Sequence, residues 1–135
     1  MIRFLIDTNI ASYFLKRKFP SLHERMKAAM LAGEVAISTV TRAELRYGQA
    51  LMPADDRRRR LIDAFLEEIP TLDWTAAAAD HYGRLAAIQK QTGTPIGTLD
   101  TQIAAHAVAE HLVLITHNTR HFERVPDLQM ETWVS

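Results

Sequence analysis

The chain is 135 residues long, has no cysteine, and sets 16 lysines and arginines against 16 aspartates and glutamates, so its formal net charge is zero. That length fits one domain over 1–135 with a core of its own, the missing cysteines exclude a disulfide framework and a thiolate zinc site, and the zero balance argues against a strong non-specific DNA binder. No stretch approaches the roughly 20 apolar residues of a membrane span, and the apolar run before Asp7 is too short for a secretory leader, so the expected location is the cytoplasm.

Residues 2–6 read as a short buried strand that stops at Asp7. Thr8 or Asn9 is placed to cap the next helix, IASYFLK, which closes on the basic run Lys16, Arg17, Lys18. Phe19-Pro20 is a break. Ser21 with Glu24 then makes a capping box for a second helix, with apolar positions Leu22, Met26, Ala29 and Met30 and a stop at Gly33. VAIST (35–39) is a second buried strand. A helix from Thr41 reaches Met52-Pro53, and another runs from near Ala54 to Pro70. PTLDW offers a short third strand. Thr75 caps a long helix stopped by Thr92-Gly93, and after PIG a helix runs from about Thr98 to His111. LVLIT (112–116) is a fourth strand and LQMETWV (128–134) a final edge strand. Strands alternating with helices predict an α/β sandwich whose mostly parallel central sheet is flanked by helices.

In such sheets ligands bind outside the carboxyl ends of the strands. Asp7 sits there, at the tip of the first strand. Glu44 opens the helix after the second strand, and Asp100 lies in the first turn of a later helix, so all three can meet at one sheet edge. Two unit charges about 4 Å apart repel by about 4 kcal/mol at an effective dielectric of about 20. Such a cluster therefore calls for protons or a cation. All-oxygen ligands favour Mg²⁺ or Mn²⁺, and Mg²⁺ usually takes one or two carboxylates, with waters and phosphate completing its shell. Metal-assisted phosphodiester hydrolysis is the chemistry this set suits. Each acid also has a plain alternative. Thr41-x-x-Glu44 is itself a capping box, Asp100 a favourable first-turn acid, and Asp7 a helix cap, although Thr8 and Asn9 already stand in that place.

FLIDTN, ISTVTRAELRYG, PIGTLDTQIAAHA and LITHNTRHF, in this order over essentially the whole chain, resemble the PIN-domain fold and the VapC toxins of bacterial toxin–antitoxin pairs. The resemblance implies a PIN-like three-layer sandwich and a Mg²⁺- or Mn²⁺-dependent endoribonuclease, with Asp7, Glu44 and Asp100 in the acidic site. It also implies a homodimer, a VapB-like antitoxin that blocks the site, and an RNA substrate, with tRNA, including initiator tRNA, the leading candidate. Many members carry a fourth acid after the fourth strand. Here that segment is Thr116-His117-Asn118, and the position is neutral. An amide can hold water or phosphate but adds no charge for a second metal ion. On this reading Asp7 and Asp100 are the main metal ligands and Glu44 binds through water or orients the nucleophile. Thr8, Asn9 and Asn118 position phosphate or water, while Arg42 and Arg46 hold phosphate or pair with neighbouring acids.

Two other readings stay open. An acid after a first strand also marks aspartyl phosphotransfer enzymes, but these want a second acid at position 9, which is Asn9, or a late-strand lysine, absent from Thr116 to Phe122. A PIN-like module that binds without cleaving is the other, and Asn118 is its main support. His106, His111, His117 and His121 are poorly spaced for zinc, and surface or capping roles are expected of them. Arg57–Arg60 follows Asp55 and Asp56 and reads as a solvated helix face with local pairs.

Overall fold

The structure is a computed structural model that describes residues 1–134. Five parallel strands form one sheet in the order β3-β2-β1-β4-β5. The elements follow as β1 (Phe4–Ile6), α1 (Thr8–Leu15), α2 (Pro20–Leu31), β2 (Val35–Ser38), α3 (Thr39–Ala50), α4 (Arg58–Glu68), β3 (Thr71–Leu72), α5 (Ala76–Thr92), α6 (Thr98–Ala109), β4 (Val113–Ile115), α7 (Thr119–Phe122) and β5 (Met130–Glu131).

Strand alternation divides the core in two. Phe4, Ile6, Val35, Ile37 and Ile115 face α1 to α4 and pack on Ile10, Leu22, Met26 and Phe65. Leu5 and Leu114 face the other way, onto Leu85, Ile103, Ala104 and Phe122 of α5 to α7. Helices thus cover both faces, as a parallel sheet requires. Among the described residues no helix is long and apolar enough to cross a membrane.

The winding reverses between β1 and β4, because β2 and β3 lie on one side of β1 and β4 and β5 on the other. A crevice opens at such a switch point, at the carboxyl ends of the two strands. The register Ile6↔Ile115 fixes what lines it. Asp7 follows one strand, Thr116 the other, and the Asp7 amide donates to the Ile115 carbonyl at 3.1 Å.

Several ends differ from the expectations above. Asp7 itself caps α1, its Oδ1 accepting from the Ile10 amide at 2.8 Å, so Thr8 and Asn9 lie inside the helix. The extended Asp7 backbone (ψ 168°) points its carboxylate back over the first turn. Ser21 and Glu24 form no capping box: Pro20 opens α2 behind Phe19, and a proline at the first position needs no capped amide there. Ser38 caps α3 through the Val40 amide, which puts Glu44 in the second turn and removes its capping-box alternative. Pro53–Arg57 makes a turn, so α4 starts at Arg58 rather than Ala54. The third and last strands have shrunk to two residues each, and α7 was not foreseen. Thr75 and Gly93 bound α5 as expected, Gly93 in the left-handed region at φ 68°.

Candidate active site

Asp7 is the centre of the crevice. Its side chain is buried, with 4 % of its surface exposed. Its carboxyl is pushed up to about 6, mainly by burial, with the charges of Asp100 and Glu44 adding to the rise and the Thr116 hydroxyl and the Ile10 amide opposing it. A buried carboxylate with two like charges near it is short of positive charge.

Glu44 reaches the crevice from the face of α3 that packs on α1. The Thr8 hydroxyl donates to its Oε1 at 2.6 Å. Thr8 has a single hydroxyl hydrogen, so the 3.1 Å contact between Thr8 Oγ1 and Thr41 Oγ1 is donated by Thr41. A relay runs Thr41 to Thr8 to Glu44, and it aims the carboxylate at the α1 side of the crevice. Asn9 is exposed and borders the same groove as Thr8 and Glu44.

Asp100 stands in the first turn of α6, as expected. Gly97 precedes that helix at φ 99°, which a side chain would strain, and the turn it makes swings Asp100 towards the site. His121 of α7 lies against it, with Nε2 3.0 Å from Asp100 Oδ2 and 2.9 Å from the Ile96 carbonyl. A carbonyl can only accept, so Nε2 carries the hydrogen. The sequence does not show this pairing, since a surface or capping role is what it leads one to expect of His121. Thr116 was missed too. It is buried, bonds Asp7, and accepts from the Asn118 amide at 3.1 Å.

The other expected site residues fare differently. Asn118 is exposed, and its Oδ1 caps α7 by accepting from the His121 amide at 3.3 Å, so its carbonyl oxygen supports the helix that carries His121. Neither Arg42 nor Arg46 bonds Asp7, Glu44 or Asp100, and of the two, among the described residues, only Arg46 pairs with an acid, Asp63. Arg42 Nη1 bonds the Leu66 carbonyl and the Thr71 hydroxyl, which ties α3 to the end of α4 and to β3. Arg46 Nη1 bonds Asp63 at 2.6 Å and Gln49. His106 is fully buried rather than superficial, with Nδ1 2.9 Å from Ser38 Oγ, and burial lowers its basicity.

The three acids meet at one edge of the sheet but do not close on a common point. Among the described residues no group of three His, Asp or Glu side chains stands close enough to hold an ion as placed. Each acid instead answers its own donor: Ile10 and Thr116 for Asp7, Thr8 for Glu44, His121 for Asp100. The donor set still fits a hard divalent ion. It is all oxygen, anionic, and deficient in positive charge at Asp7, and Mg²⁺ needs only one or two direct carboxylates when waters bridge to the rest.

Comparison with known proteins places this arrangement. The family model described as PIN domain matches residues 4–128. The tRNA(fMet)-specific endonuclease VapC of Shigella flexneri is 40% identical over 133 residues, 98% of this chain and 99% of its own. Ribonuclease VapC2 of Haemophilus influenzae (strain ATCC 51907 / DSM 11121 / KW20 / Rd) is 37% identical over 134 residues, 99% of this chain and 100% of its own. Among solved structures, DNA-bound VapBC from Salmonella typhimurium superposes with a TM-score of 0.90 at 34% identity, covering 98% of this chain and 99% of that one.

Proposed function

The chain belongs to the PIN-domain family, among the VapC ribonucleases of toxin–antitoxin systems, and from that premise we propose a toxin that cleaves RNA with Mg²⁺ or Mn²⁺ held at Asp7, Asp100 and Glu44. The observation that carries the site assignment is the Asp7 carboxyl, buried at the switch point and pushed up to about 6, with the charges of Glu44 and Asp100 adding to the push. A divalent ion there would activate water and polarise the phosphoryl oxygen. Asp7 and Asp100 would ligate the ion and Glu44 would orient the attacking water, with the Thr41–Thr8 relay holding Glu44 in place. Asn9 and Asn118 lie exposed at the rim, where their amides can meet phosphate.

The substrate is a tRNA, with initiator tRNA first, because the Shigella relative carries that specificity in its name. The partner is a VapB-like antitoxin, on the precedent of the Salmonella VapBC complex, and the toxin acts in the cytoplasm as a homodimer. The test is cleavage of total bacterial RNA with Mg²⁺ or Mn²⁺ against a chelated control, with the cut ends sequenced. Metal-dependent cuts in tRNA that disappear in Asp7→Asn are expected. Cleavage that survives in Asp7→Asn overturns the site. No cleavage with either metal overturns the activity in favour of a binding module.

A further inference from the structure

Beside the acids lies a group of rings that the hydrolytic mechanism does not use. Tyr13 and Phe19 meet edge to face with centroids 5.3 Å apart, and His117 sits 5.6 Å from Phe19 and 6.1 Å from Tyr13. Lys18 Nζ lies 4.8 Å from the Tyr13 centroid and 5.5 Å from that of Phe19. His117 and Lys18 are exposed, and the other two rings are half-buried. The position matters: His117 directly follows Thr116, whose hydroxyl bonds Asp7. Tyr13 lies on α1, the helix that Asp7 caps, and the basic run at its end begins roughly 12 Å along the axis.

We propose that Tyr13, Phe19 and His117, with Lys18 over the rings, form a nucleotide platform on which an unpaired base of the substrate RNA stacks beside the bond to be cut. Single-stranded RNA is held by this pairing of aromatic faces with cations that follow the backbone. Charge argues the same way. The chain has no net charge, so phosphate must be drawn by a local patch that offsets the site's own acids. Within the longer arginine run Arg58 is taken by Asp56 at 2.6 Å and Arg59 by the carbonyls of Gln49 and Met52, which leaves Arg57 and Arg60 exposed and outside an ion pair among the described residues. Among the described residues Lys16, Arg17 and Lys18 enter no ion pair, and all three are exposed.

The platform rests on the ribonuclease reading for its ligand, yet it is tested apart from cleavage. The full chain is titrated, in chelator, into a short fluorescein-labelled unstructured oligoribonucleotide, and anisotropy gives the Kd at several salt concentrations. His117→Ala is expected to weaken binding about tenfold, and His117→Tyr to restore it, because the aromatic face returns. Lys18→Ala is expected to lower the slope of log Kd against log salt by about 0.7, the loss of one phosphate contact on a single strand. Unchanged affinity in His117→Ala together with an unchanged slope in Lys18→Ala overturns the platform. So does loss of a co-purifying protein partner from His117→Ala with RNA binding intact, which would assign the rings to a protein interface. A wild-type chain that binds in this way but never cleaves sinks the ribonuclease reading and leaves the platform standing.

Discussion

His121 donates from Nε2 to Oδ2 of Asp100 across 3.0 Å, and the same N–H meets the Ile96 carbonyl at 2.9 Å. The two acceptors fix the tautomer and the ring plane, and the ring in turn fixes which Asp100 oxygen faces the crevice. Partners of this kind are worth about 10–100-fold in metal affinity or activity. His121→Ala is therefore expected to raise the Mg²⁺ concentration for half-maximal cleavage by about tenfold. His121→Gln keeps an N–H donor and is expected to fall between that variant and the wild type. A metal titration of cleavage, with Mn²⁺ binding followed by electron paramagnetic resonance, reads both. Equal half-saturation in all three proteins would remove His121 from the site.

Asp7 makes stability depend on pH in an unusual direction. Its carboxyl is pushed from 3.8 up to about 6 in the fold. Between those values the folded chain holds a proton that the unfolded chain has released. The stabilisation this gives is complete below the unfolded value and is lost as pH rises through the folded one. The loss amounts to about 3 kcal/mol across that window. Urea unfolding in chelator should show the advantage of Asp7→Asn over wild type growing by about 2–3 kcal/mol between pH 4 and pH 7. Mg²⁺ at pH 7 should then stabilise wild type more than the variant. A constant difference across the range would mean that the Asp7 carboxyl is not displaced.

The relay through Thr8 makes Glu44 sensitive to a single hydroxyl. Thr8→Val keeps the shape of the side chain and removes both the 2.6 Å bond to Glu44 and the acceptor for Thr41. The expected loss of stability is about 1–2 kcal/mol, with cleavage reduced because Glu44 is no longer aimed. A variant that melts and cleaves like wild type would show that Glu44 does not need this donor.

Ser38 joins two jobs in one oxygen, capping α3 through Val40 and meeting the buried His106 Nδ1 at 2.9 Å. Ser38→Ala gives up the cap and strands the imidazole, for a combined loss of about 2–3 kcal/mol by chemical denaturation. A loss below about 0.5 kcal/mol would place the stabilisation of His106 elsewhere.

Much of this site is local, and what is local was readable. The alternation in FLI, the Thr75 cap, the Gly93 stop and the first-turn place of Asp100 each depend on residues within a turn or a strand of one another. The parallel sheet followed from the order of such elements, and the order brought Asp7, Glu44 and Asp100 to one edge.

The errors share a cause. Asn9 is as good a capping residue by type as Asp7, and the folded strand end, with Ile6 in register with Ile115, leaves Asp7 as the residue whose Oδ1 takes the Ile10 amide. Arg42 looked close to Glu44 because it is two residues away in sequence, yet its guanidinium goes to Leu66 and Thr71.

From the chain alone came the fold class and the placing of the three acids at one sheet edge, because periodicity and strand ends are set by neighbours along the backbone. The docking of α1, α3, α6 and α7 around the strand tips decided the rest: Thr8 for Glu44, Thr116 for Asp7, and His121 for Asp100 across 21 residues. Those bonds close between segments whose separation in sequence carries no information about their distance in space. A carboxylate's partner is chosen by packing, after the helices have found their places on the sheet.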